Sequence, residues 1–223
     1  MPILRLSCSF CDLSFLNLYG QRRDDPFLEA VFRVNQADTD LALRGISMTR
    51  ALSIRSAAVL GAGVMGRGIA AHLAGIGIDV LLLDIVPPGE TDPSRDARNA
   101  FATGGLNAAI RSKPALFYDK ADAQWVTVGN FDDDLDKIAE VDWIVEVVKE
   151  DLAIKRSLFE RVDAVRRPGT LISSNTSGLP LAELIEGRSD DFKENFIITH
   201  FFNPVRYMKL LELVSGPSTR DGL

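Results

Sequence analysis

From Ala57 onward, short uninterrupted apolar runs alternate with amphipathic stretches. Ala57-Ala58-Val59-Leu60 has no polar face, which predicts a strand covered on both sides of a parallel sheet. It ends in Gly61-Ala62-Gly63-Val64-Met65-Gly66. Within Arg67 to Ile76, Ile69, Leu73 and Ile76 fall at i, i+4 and i+7, predicting a helix with one apolar stripe that Gly75 and Gly77 stop. Val80 to Asp84 predicts the second strand. Further strands are predicted at Trp143–Val148, Thr170–Ser173, Phe196–Thr199 and Leu210–Val214. Between them, Leu152 to Val165 carries Leu152, Lys155, Phe159 and Val162 on a helical period, and Pro180 to Glu186 reads as a short helix. From Asp84 to Trp125 the chain is less periodic, with Pro87-Pro88, Pro93 and a helix around Arg95 to Arg111, and reads as an excursion from the sheet. The fold class expected is α/β, a doubly wound, mostly parallel sheet.

Residues 1–50 do not share this pattern and are expected to be a poorly ordered or spurious extension, with Met48 a candidate start and an ordered extension packed on the core the alternative, while 51–223 is expected to be one Rossmann-type domain. Cys8 and Cys11 form a C-x2-C pair with no second Cys or His pair after it, so no metal site is expected. Thirty-one acidic against 25 basic residues give a net charge of −6, which leaves no cationic field for nucleic acid. No uncharged run reaches the roughly 18 residues of a membrane helix, and the reading is a soluble, cytoplasmic protein.

Chemistry concentrates at strand ends. Gly61-x-Gly63-x-x-Gly66 follows a buried strand, opens a helix, and has Asp84 eighteen positions after Gly66 at the next strand's end. That context predicts a Rossmann-type dinucleotide site: Gly61 for the tight turn, Gly63 for backbone approach to a pyrophosphate, Gly66 for helix–strand packing, and Asp84 for the ribose hydroxyls. Asp84 would repel a 2′-phosphate, so NAD is expected over NADP. His200, in His200-Phe201-Phe202-Asn203-Pro204, ends an apolar strand where ligands bind in open sheets, and hydride removal from an alcohol needs a base for the hydroxyl proton. Glu212 sits in an otherwise apolar strand and needs a partner, which makes a histidine–carboxylate pair the economical reading. His72 has no such company and reads as structural. The segment from Ser173 to Gly178 by itself reads as a helix-capping turn, although its hydroxyls and amides could reach a substrate oxygen. Glu146, inside an apolar strand, is expected to point into the cofactor crevice.

In order along the chain, Leu60 to Gly66, Ile144-Val145-Glu146, Ser174-Asn175-Thr176-Ser177, His200 to Pro204 and Lys209 to Glu212 resemble the NAD-binding domain of 3-hydroxyacyl-CoA dehydrogenases over about Ser56 to Gly216. Asn203 to Lys209 and the excursion Lys113 to Phe131 resemble most the long bacterial form joined to an enoyl-CoA hydratase. The resemblance implies oxidation of an acyl-CoA substrate in fatty acid β-oxidation, with His200 as base, Glu212 orienting it, and Ser177 and Asn203 at the substrate oxygen. Gly61, Gly63, Val64, Met65, Gly66, Asp84, Glu146 and Asn175 would serve the cofactor. It also implies a helical C-terminal domain that closes the site and forms a homodimer; the expectation is a truncated chain without that domain. Two other readings stand beside it: a non-catalytic NAD-binding module, and an NAD dehydrogenase of a small free hydroxy acid.

Overall fold

The computed structural model describes residues 4–7 and 53–223. In chain order the strands are β1 (Leu4–Ser7), β2 (Ser56–Leu60), β3 (Asp79–Asp84), β4 (Val126–Asn130), β5 (Trp143–Glu146), β6 (Leu171–Ser174), β7 (Phe196–Phe201) and β8 (Leu210–Ser215). The helices are α1 (Val64–Gly75), α2 (Arg95–Arg98), α3 (Ala100–Arg111), α4 (Leu152–Val165), α5 (Leu181–Leu184) and α6 (Asp190–Glu194). The Cys8–Cys11 pair, Met48 and, β1 apart, the expected N-terminal extension lie outside the described residues.

One sheet runs in the order β1-β8-β7-β6-β5-β2-β3-β4. From β4 to β7 every pairing is parallel, and β8 pairs antiparallel with β7. Chain order reverses between β2 and β5, and such a switch point opens a crevice at the carboxyl ends of the strands. The α/β, doubly wound reading therefore holds.

Continuous apolar strands are explained by cores on both faces. Ala57, Val59, Val80, Leu82 and Val145 pack with Ile69, Ala70 and Leu73 of α1 and Ala102 and Ala109 of α3. On the other face Ala58, Leu60, Leu81, Leu83 and Ile144 meet Leu158, Phe159 and Val162 of α4. There Phe159 sits edge-on to Phe192 and Phe196, with ring centroids 5.5 and 5.4 Å away. Asp151 starts α4 by accepting from the Ala153 and Ile154 N–H groups, which would otherwise be orphaned at the helix end.

The excursion differs from expectation at its end. Val126–Asn130 joins the sheet as β4, parallel to β3. It escapes the apolar-run criterion because it is an edge strand, with Thr127 exposed and Gly129 facing the Asp134 carboxylate. The predicted helix at Arg95 to Arg111 is broken at Asn99 into α2 and α3. Neither β1 nor α6 was legible as an apolar period, both being short.

His72, on α1, has a buried Nδ1 without a hydrogen-bond partner among the described residues, and burial first, then Arg206, holds the imidazole below its ordinary 6.5. The unfolded chain thus binds a proton that the folded chain refuses. Stability from this group is full above about 6.5 and falls as pH drops below it. Urea midpoints measured from pH 8 to 5 are expected to decline in the parent and to flatten across the upper part of that range in His72→Leu. The depressed carboxylates Asp142, Asp163 and Asp191 act in a lower window, below their ordinary 3.8.

Candidate active site

Backbone ladders bring the separated motifs to one edge. Gly61 N–H donates to Leu83 O at 2.7 Å, Val147 N–H to Leu60 O at 2.8 Å, and Asn175 N–H to Glu146 O at 2.9 Å. The Asn175 side chain then accepts from Phe201 N–H at 2.8 Å, one residue past His200. The glycine turn, the Asn175 turn and the end of β7 are thus linked along the carboxyl edge of the sheet.

Each glycine of the turn has its own physical reason. Gly61 has φ +110°, and a Cβ there would lie 2.7 Å from Val147 O. A Cβ on Gly66 would lie 1.8 Å from Gly61 O, so helix and turn meet only if that side chain is absent. Gly63 differs: a Cβ there would meet no atom of the described residues within 4 Å. The fold does not require this glycine, whereas a ligand lying against the backbone would. Gly63 also caps α1 without a side-chain hydrogen bond, and no acidic residue stands in the first turn, so the N–H groups of Val64, Met65 and Gly66 are left for an anion. The donor set fits a pyrophosphate. Asp84 ends β3 beside this turn, its Oδ2 accepting from Ala62 N–H and its Oδ1 from Ile85 N–H, both at 2.7 Å. Each oxygen keeps a lone pair for a ribose hydroxyl.

Glu146 is fully buried and satisfied from within. It accepts from Lys155 Nζ and Val148 N–H, each at 2.7 Å, and from Ser174 Oγ at 2.5 Å. Burial pushes its carboxyl up from the ordinary range, against the pull of Lys155. Lys155 lies on the otherwise apolar stripe of α4, and its buried ammonium takes the Glu146 carboxylate into the interior, whereas from sequence it is expected to point into the cofactor crevice. The same ammonium lies 3.3 Å from Glu150 Oε2. Glu150 accepts from the Thr176 hydroxyl and from the Ser177 and Gly178 N–H groups at 3.3 and 3.4 Å. Glu150, Lys155 and Thr176 were missed by sequence reasoning; a lysine on a buried helical face nine residues after a strand glutamate was the available signal. Ser177 itself is exposed on the anchored turn.

His200 and Glu212 face each other directly across β7 and β8. His200 Nδ1 lies 3.1 Å from Glu212 Oε2, and the two side chains are 21% and 24% exposed. A carboxylate on Nδ1 fixes the tautomer that leaves Nε2 free to accept a proton. The Phe202 ring centroid lies 4.4 Å from that of the imidazole. Asn203, exposed, follows before Pro204. The pair read from sequence is therefore formed, and strand register rather than a loop forms it.

Residues 56–223 match the family described as 3-hydroxyacyl-CoA dehydrogenase, NAD binding domain. A Bacillus subtilis protein named "Probable 3-hydroxyacyl-CoA dehydrogenase" is 50% identical over 170 residues, which cover 72% of this chain and 22% of that protein. A Deinococcus radiodurans protein of the same name is 48% identical over 168 residues, covering 75% of this chain and 47% of that one. Among solved structures, 3-hydroxybutyryl-CoA dehydrogenase of Escherichia coli is 30% identical with a TM-score of 0.60, over 76% of this chain and 34% of that chain. The chain thus spans less than half the length of these relatives. No helix among the described residues is long and apolar enough to cross a membrane.

Proposed function

The chain belongs to the family of 3-hydroxyacyl-CoA dehydrogenase NAD-binding domains, and we propose that it serves NAD-dependent oxidation of (3S)-3-hydroxyacyl-CoA to 3-oxoacyl-CoA in fatty acid β-oxidation. The observation that carries this reading is the His200–Glu212 pair at 3.1 Å on the same sheet edge as the glycine turn. NAD, when bound, supplies the acceptor for the hydride that leaves C3. His200 Nε2 takes the 3-hydroxyl proton as the carbonyl forms. Glu212 holds the ring through Nδ1 and stabilises the imidazolium that results. Asn203 and Ser177, exposed at the same edge, orient the substrate oxygen. Asn175 ties their two segments together through Phe201 N–H. Glu146 acts by bracing β5 and β6 through Lys155 and Ser174 rather than by reaching the cofactor itself, being without exposed surface.

The test is reduction of acetoacetyl-CoA by NADH, followed by absorbance, in this chain and in the chain extended with the unmatched part of the Deinococcus relative. Turnover in either supports the reading. Turnover only of free hydroxy or oxo acids would move the assignment to a small-acid dehydrogenase, and NADH binding without turnover in either protein would leave an NAD-binding module.

Cofactor choice gives a second expectation. No Arg or Lys occurs from Leu81 to Thr91, and Arg95 is committed to Asp134 at 2.8 Å. NADH is expected to bind more tightly than NADPH. Asp84→Asn, which can still accept from Ala62 N–H, should weaken NADH about tenfold, as expected for a charge-assisted hydrogen bond, and narrow the gap. Fluorescence titration with both cofactors checks this, and equal affinities in the parent would refute the ribose assignment.

A further inference from the structure

Phe202–Lys209, the link between β7 and β8, joins the base to its carboxylate. It is fixed at three points. Tyr207 and Met208 N–H both donate to Pro204 O, at 2.9 and 3.1 Å, closing a turn. Val205 is buried against α1, its Cγ2 3.1 Å from where a Cβ on Gly68 would stand, so Gly68 makes the notch that receives it. Arg206 and Tyr207 then dock on the excursion. The Arg206 guanidinium lies 4.1 Å over the Tyr118 ring and donates through Nη1 to Phe117 O at 2.6 Å and Ala115 O at 3.3 Å. Tyr207 Oη donates to Ala115 O at 2.9 Å. These carbonyls are held still because Leu116 and Phe117 are buried in the α1-side core.

A planar guanidinium can lie flat on a ring while its in-plane N–H groups reach carbonyls at the edge; an ammonium has no such plane and turns some of its donors to the ring. We propose that Arg206 is a positioning residue of the reaction: by locking the link onto Ala115–Tyr118 it sets Asn203 and the register of Glu212 against His200. This rests on the proposed roles of His200 and Asn203. A misplacement of about 1 Å in a catalytic group can cost on the order of 10²-fold, so the expected effect is on turnover rather than on cofactor binding.

The variants are Arg206→Ala, Arg206→Lys, Tyr118→Phe and Tyr118→Ala, in whichever of the two proteins above turns over acetoacetyl-CoA. Arg206→Ala is expected to lower kcat about 10- to 100-fold with NADH affinity within about twofold of the parent. Arg206→Lys should recover only part of the loss. Tyr118→Phe, which keeps the ring, should behave as the parent, and Tyr118→Ala should follow Arg206→Ala. Unchanged kcat in Arg206→Ala overturns the proposal, as does a fall in kcat matched by equal losses in NADH affinity and thermal midpoint. A second readout needs no turnover. With two histidines in the chain, the ring nitrogens of His200 are assignable by NMR. In Arg206→Ala the Nδ1 signal should move toward its position in Glu212→Gln. An unmoved signal overturns the proposal even where the parent fails to reduce acetoacetyl-CoA, a failure that would count separately against the proposed function.

Discussion

Replacing His200 with glutamine is expected to lower kcat for acetoacetyl-CoA reduction by about 10²–10⁴-fold, the usual contribution of a positioned general acid or base, while NADH affinity stays nearly unchanged. The separation follows from geometry. The glycine turn and Asp84 belong to β2, α1 and β3, whereas His200 and Glu212 lie on β7 and β8 at the other side of the switch point. Glu212→Gln should act through the same imidazole, since its recorded contact is with Nδ1. If the two work as a unit, the double variant should be little worse than His200→Gln alone, because orienting a ring that is gone costs nothing. Fully additive losses would give Glu212 a separate task, and normal turnover in His200→Gln would place the base elsewhere.

Two alanine substitutions in the glycine turn should fail in opposite ways. Gly66→Ala would put a methyl group 1.8 Å from Gly61 O, a backbone atom of a residue tied by its own N–H to Leu83 O at 2.7 Å. The turn must open or α1 must shift, and the expected result is a chain that melts far below the parent or does not fold, beyond the roughly 1–3 kcal/mol of ordinary overpacking. Gly63→Ala adds its methyl to open space. Its thermal midpoint should stay near the parent's, yet NADH should bind at least about tenfold more weakly, because that space is where a pyrophosphate would approach. Thermal melts with and without NADH read both effects. A Gly63→Ala protein that binds NADH normally would refute the placement of the pyrophosphate.

The parallel strands buried on both faces were legible because such strands leave no polar positions, and Ala57 to Leu60 is the clearest case. β4 was not, since an edge strand mixes exposed Thr127 with a glycine fitted to Asp134, and no period survives. The candidate site was legible as residue types and, for His200 with Glu212 alone, as a contact. The cost of an unpaired buried carboxylate demanded a partner for Glu212 and aimed Glu146 into the cofactor crevice, whereas Glu146 is fully buried on Lys155. It could not say that Glu146 finds Lys155 on a helix, nor that Glu212 finds His200 through antiparallel pairing, because pairing direction leaves no mark in a short apolar run. Arg206 and Tyr207 read only as a family-like wording; their partners are carbonyl oxygens, which sequence does not display.

The antiparallel pairing of β7 with β8 has a consequence for how such chemistry can be inherited. The proposed base and its carboxylate belong to one hairpin, twelve residues apart, while the glycine turn and Asp84 belong to the parallel strands that precede it. The two groups of residues are separable units of change. A slip of a single residue between β7 and β8 would turn Glu212 to the opposite side of the sheet and part it from His200 without touching the glycine turn.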